Sequence, residues 1–216
     1  MALVSLSMAF ATLLIVANLI AVKLINIGPW VVPVAVIVYP FTFLVTDTIA
    51  ELYGRRAATR VVWLGFVMNI IMVALIYLGK IIPPSSFWEG QDAYNTMLGS
   101  VPRIVLASML AYLASQHHDV FAFHFWRRLT NGRFLWLRNN ASTMVSQGID
   151  TALFITIAFI GVVPTNVLLN MIVGQYVIKL GIAMVDTPIC YALVGLLRRK
   201  GVQPLAELTE EVSLAD

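Results

Sequence analysis

Along this chain long apolar stretches alternate with short polar ones rich in arginine. The first, MALVSLSMAFATLLIVANLIAV, is apolar almost from its first residue. A hydrocarbon core about 30 Å thick needs about 20 helical residues to cross it. Six stretches meet that length, at roughly 3–25, 31–52, 58–79, 101–126, 141–163 and 167–197. The pattern predicts an all-α integral membrane protein, a six-transmembrane-helix bundle filling 1–200 as one domain, with 201–216 as a polar tail. Pro33 and Pro40 fall inside the second stretch and predict a kinked or broken helix there. The sixth is long enough that it must tilt or protrude, and Pro188 predicts a kink. The first lacks a basic leader and a small-residue cleavage pattern, so it is expected to be a retained helix rather than a signal peptide. Between the third and fourth stretches, residues 80–100 form the longest expected external loop. Its Phe87, Trp88 and Tyr94 are expected to anchor it in the membrane interface, ahead of a lid role.

Composition narrows the class. Hydrophobic residues make up 60% of the chain and charged residues 12%, against about 25% charged in soluble proteins. The net charge of +3 would suit a nucleic-acid binder. The positive residues are instead gathered in the connections, as topology signals are, so no nucleic-acid partner is expected. Arg55, Arg56 and Arg60 follow the second stretch, and Arg127, Arg128, Arg133 and Arg138 follow the fourth. Arg198, Arg199 and Lys200 follow the sixth, so these three places hold 10 of the 14 basic residues. The positive-inside rule then puts both termini in the cytoplasm, and an even number of spans agrees. The single Cys190 allows no internal disulfide and reads as a small buried hydrophobe.

Against that apolar background a few polar residues stand out. A charge at membrane depth costs at least about 2.5–3.5 kcal/mol and usually faces a partner, a cavity or a substrate. Asp150 follows Arg138 by 12 residues, which at about 1.5 Å per residue places it near the midplane. Asp47 precedes Arg55, and Asp119 precedes Arg127, by eight residues each. Both are therefore expected about 12 Å from the cytoplasmic boundary. Gln147 and Asp150 lie one helical turn apart on one face, near Ser142, Thr143 and Ser146, as do Gln175 and Lys179. Asn18 and Gln116 are further candidates, with Asn18 as readily interhelical glue. An Asp150–Lys179 ion pair could also be purely structural. Asp119 and Arg103 sit near helix ends, where an interfacial place is expected. His117 and His118 diverge by about 100° on a helix, so they do not share one metal ion readily, and His124 is only a loose match. No cofactor or metal is expected. No catalytic signature is present, so an enzyme is a minority reading.

The strings YPFTFLVTDTIAELYGRR, VPRIVLASMLAYLASQHHDV and LWLRNNASTMVSQGIDTALFITIAF resemble the signature stretches of the queuosine precursor transporter family, also described as vitamin uptake transporters. The resemblance runs from Asn18 through Lys179. It implies six membrane helices, similar in plan to the substrate-binding components of energy-coupling-factor transporters. It implies a bacterial inner-membrane importer of 7-cyano-7-deazaguanine (preQ0) and 7-aminomethyl-7-deazaguanine (preQ1), salvaged into the tRNA base queuosine. Against such a ligand, Asp150 with Gln147 is expected to read the base edge. Asp47 would meet the aminomethyl ammonium or carry a proton, and Lys179 or Gln175 would reach O6. Tyr39, Phe43 and Phe121 are stacking candidates. An ATPase-driven vitamin-binding component and an intramembrane enzyme are the alternatives, and a homodimer is left open.

Overall fold

The structure, a computed structural model, describes residues 2–129 and 135–199. Side chains at 119–143, 183–188, 190–191 and 198–199 are outside that description. Expectations for Asp119, Phe121, His124, Ser142, Thr143, Cys190, the arginine clusters after the fourth and sixth stretches, and the tail therefore lie outside the described residues. In chain order the elements are α1 (Ala2–Ile20), β1 (Leu24–Ile27), β2 (Trp30–Pro33) and a 3-10 turn (Val34–Ile37). There follow α2 (Tyr39–Tyr53), α3 (Arg55–Ile81), α4 (Gln91–Leu98), α5 (Val101–Leu129), α6 (Leu135–Phe159) and α7 (Thr165–Arg199). The chain is mostly helical. Among the described residues four helical stretches are long and apolar enough to cross a membrane: Ala2–Ile20, Arg55–Ile81, Gln91–His118 and Thr165–Ile182. Met144–Phe159 is a shorter apolar helix among the described residues.

One expectation is corrected here. Residues 31–38 are not helical: the chain leaves α1 at Ile20, makes an antiparallel hairpin, takes a 3-10 turn and only then enters α2. The turn between the strands is Gly28–Pro29. Gly28 has φ +58°, a conformation glycine adopts without penalty, and Pro29 fixes the next φ at a negative value. Glycine first and a negative φ second is the pattern that joins two strands without splaying them. Pro40 falls in the first turn of α2, where its missing N–H costs nothing. The two prolines therefore fence a short irregular segment off from a helix instead of kinking one long helix.

The described chain forms two compact units. The first holds α1, the 3-10 turn, α2 and α3. Gly54, at φ +83°, separates α2 from α3 in a single residue. α3 buries Val61, Val62, Gly65, Phe66 and Asn69 along one stripe. Its remaining faces expose Trp63, Leu64, Val67, Ile70, Ile71 and Leu75. An outward apolar surface of this kind is what a lipid-facing helix presents, and it would be an aggregation liability in water. Gly65 lets α1 approach closely, since a Cβ there would come within 2.9 Å of Phe10 and of Leu14.

The second unit holds the hairpin, α4, α5, α6 and the first turns of α7. α5 and α6 pack closely through a core that includes Ile104, Ala107, Ala111, Ile155 and Ala158. Arg103, in the first turn of α5, donates from Nε to the Ile157 carbonyl and from Nη2 to the Ile160 carbonyl, each at 2.6 Å. Those carbonyls end α6 and have no helical partner ahead of them, and a cation there also faces the negative end of the helix dipole. The expected interfacial arginine therefore closes a helix end.

Candidate functional site

The second unit brings three of the sequence candidates together. Lys179 on α7 donates to Asp150 Oδ2 on α6 at 2.6 Å. The lysine side chain is 3% exposed and the aspartate 21%. A charge-assisted bond this short, flanked by apolar helices, is among the stronger hydrogen bonds available to a protein. Gln175 lies one turn before Lys179 on the same face and is buried. Its Oε1 has no hydrogen-bond partner among the described residues, and neither has the buried Oγ1 of Thr151, next to Asp150. An unpartnered buried acceptor costs about 1–3 kcal/mol. Gln175 Oε1 can only accept, so the position one turn from Lys179 is short of a donor.

The helices around the pair are held by polar contacts that the sequence did not single out. Tyr176 donates its hydroxyl to the Met144 carbonyl at 3.2 Å, and its ring lies near Gly148. His118 Nδ1 lies 3.1 Å from the Ser146 hydroxyl, one turn before Asp150. The histidine expected as a poor metal ligand thus ties α5 to α6. His117 points elsewhere, its Nδ1 lying 2.7 Å from the Leu113 carbonyl of its own helix. Gln147 is half-buried and Gln116 is exposed. No group of His, Cys, Asp and Glu among the described residues could hold a metal ion.

Asn170, two turns before Gln175–Lys179, grips the hairpin. Its Oδ1 accepts from the Val31 N–H at 2.8 Å and its Nδ2 donates to the Pro29 carbonyl at 3.1 Å. Gly174, one turn on, receives Trp30 so closely that a Cβ would lie 2.4 Å from the Trp30 Cβ. Asn170 and Gly174, in an apolar stretch of α7, were the readable signals, but their partners lie about 140 residues away in sequence.

The first unit holds the other candidates. Asn18 donates from Nδ2 to Asn69 Oδ1 at 2.8 Å, and Asn69 donates to the Gly65 carbonyl at 2.9 Å. Both asparagines are buried. Tyr39 and Phe43, one turn apart, meet in a tilted ring contact with centroids at 4.3 Å and an interplanar angle of 57°. Asp47 is exposed, because α2 buries Val45, Thr48, Ile49 and Leu52 on the opposite face.

Comparison with known proteins bears on all of this. A family profile described as "Putative vitamin uptake transporter" matches residues 33–193. A protein of Bacillus subtilis (strain 168) named as a probable queuosine precursor transporter is 35% identical over 184 residues, covering 85% of this chain and 80% of its own length. The queuosine precursor transporter of Escherichia coli (strain K12) is 32% identical over 125 residues, 56% of this chain and 52% of its own. A probable queuosine precursor transporter of Haemophilus influenzae (strain ATCC 51907 / DSM 11121 / KW20 / Rd) is 28% identical over 121 residues, 56% of this chain and 49% of its own. No solved structure matches the chain. With a profile over most of its length and a relative 35% identical over 85% of it, the chain belongs to the queuosine precursor transporter family, and is a multi-pass membrane transporter rather than an enzyme.

Proposed function

We infer that this chain imports 7-deazaguanine precursors of queuosine, preQ0, preQ1 or both, across a bacterial inner membrane. In this reading six helices cross the bilayer, both termini are cytoplasmic, and the base binds near the midplane in the second unit and is passed between the two sides by alternating access. The observation that carries it is the Asp150–Lys179 pair with the buried, donor-short Gln175 beside it. A 7-deazaguanine presents a ring N–H and an exocyclic amine side by side, and one carboxylate accepts from both. Its O6 calls for a donor, which the amide of Gln147, one turn from Asp150, supplies. Sites of this kind, assembled from facing helices at mid-depth, are a general transporter pattern. The relatives' names supply the ligand class.

The test is uptake of labelled preQ0 and preQ1 in cells that neither make nor import them. Expression of this chain should restore queuosine to their tRNA, and Asp150→Asn should lower initial uptake at least about tenfold, the loss expected when a charge-assisted bond worth about 1.5–3 kcal/mol is weakened. No restoration by the unaltered chain would reject the function. Normal uptake by Asp150→Asn would remove that residue from the site.

A further inference from the structure

We propose that Lys179 is an exchangeable placeholder: its ammonium occupies, in the empty protein, the seat that a ligand's paired N–H donors take on Asp150, and binding displaces it. The proposal rests on the functional reading for the identity of the ligand, but its chemistry is independent of that identity. Three observations carry it. The pair is one-sided, because Lys179 is buried while Asp150 keeps a fifth of its side chain open. A carboxylate has two oxygens and room for about four donors, and the lysine donates to one of them, Oδ2. Gln175 Oε1, buried one turn from Lys179 on the same helix face, has no hydrogen-bond partner among the described residues and is an acceptor only. The local deficit is thus in donors, and one flexible cation is covering the strongest acceptor.

A lysine suits this work better than an arginine. Its ammonium is a point charge on a four-carbon stem with freely rotating donors, whereas a guanidinium forks onto both carboxylate oxygens and holds them. The arrangement has a use in transport. A bare carboxylate at mid-depth is costly, so an empty carrier needs a counter-charge to cross between its two states. A loaded carrier has the ligand's donors instead. The ligand then competes with an internal group, which lowers affinity but lets the empty site return.

The test is equilibrium binding by the full chain in lipid nanodiscs, with two probes: preQ1 and benzamidine, a flat cation with paired N–H donors. Four proteins are compared: unaltered, Lys179→Gln, Lys179→Arg and Asp150→Asn. The placeholder predicts that Lys179→Gln lowers Kd about tenfold and Lys179→Arg raises it about tenfold, while Asp150→Asn, which loses the seat itself, binds both probes at least about tenfold more weakly than the unaltered protein. A lysine that itself contacts the ligand predicts that both lysine substitutions weaken binding, Gln more than Arg; that order would overturn the proposal, as would unchanged Kd values. Should Lys179→Gln fail to fold, Lys179→Ser takes its place: tighter binding than by the unaltered protein supports the placeholder, and equal or weaker binding rejects it. The probes separate the two readings. The predicted order with benzamidine, without preQ1 binding to any of the four, keeps the placeholder and rejects the deazaguanine function. Binding of preQ1 in the opposite order keeps the function and rejects the placeholder. Absence of binding by either probe to all four rejects both.

Discussion

The two units each bury a polar contact between helices, and the two contacts are built on opposite principles. In the first unit Asn18 and Asn69 are neutral, buried and linked in a closed chain that ends on the Gly65 carbonyl. In the second, buried Lys179 pairs with partly open Asp150, and Gln175 Oε1, one turn from the lysine, lacks a partner among the described residues. A closed amide chain gives two helices a fixed register at low cost. A charged pair with unsatisfied neighbours is poor glue, because desolvation offsets much of its attraction. The contrast separates a polar contact that can serve as helix glue from one that, on the function proposed above, is kept for a ligand.

The sharpest way to break the contrast is to remove one charge. Lys179→Met leaves Asp150 uncompensated between apolar helices and should destabilise the protein by about 2–4 kcal/mol, the lower part of the buried-pair range because Asp150 is partly open. Adding Asp150→Asn should restore most of that loss. Thermal unfolding in detergent of the two singles and the double measures the coupling between them. If the lysine substitution costs no more than an ordinary surface change, the pair is not buried from water in the working protein.

A smaller effect is expected at Gly174. A methyl group there meets the Trp30 Cβ at 2.4 Å, on the rigid first carbon of a ring anchored by its own strand. Backbone must shift, at about 1–3 kcal/mol. Gly65→Ala is the control in the first unit, since the atoms in its way at 2.9 Å are the side-chain ends of Leu14 and Phe10, which can turn aside. Stability should fall more for Gly174→Ala than for Gly65→Ala. Equal losses would mean that the hairpin yields as easily as a side chain, and that Asn170 does not hold it.

The legible part of this molecule was its period. Apolar runs long enough to span a membrane, and same-face pairs such as Gln175 with Lys179, follow from helical geometry alone. The hairpin was not legible from hydropathy, because LINIGPWVVPVAVIVYP is apolar throughout and an apolar strand looks like part of an apolar helix. Gly28–Pro29 was the local signal against a helix. Partners were hidden more deeply. Nothing near Asn170 in sequence says that it holds the Pro29 and Val31 backbone, nothing near Arg103 that it closes α6, and nothing near His118 that it meets Ser146. Asn69 stands alone in GFVMNIIMVALIYLG and was readable as a buried polar residue, but its link to Asn18 depends on how α1 crosses α3.

That link gives the smallest effect and the cleanest comparison. Asn18→Leu takes a donor away from Asn69 Oδ1 and leaves that oxygen buried with nothing to accept. Interhelical bonds of this kind in membranes average about 0.6 kcal/mol and reach about 1.7, so a loss of about 1 kcal/mol is expected. Asn18→Leu combined with Asn69→Leu removes both halves of the contact, and replacing both partners by apolar groups can be nearly neutral. Unfolding midpoints should therefore fall for the single variant and recover for the double. The charged pair should recover for a different reason, by removal of a stranded charge, and its double variant should still have lost ligand binding. A folded Asn18→Leu/Asn69→Leu protein that no longer binds preQ1 would make Asn18 a ligand contact. The first unit would then carry part of the site, and the division between glue and binding would have to be redrawn along the ligand rather than between the units.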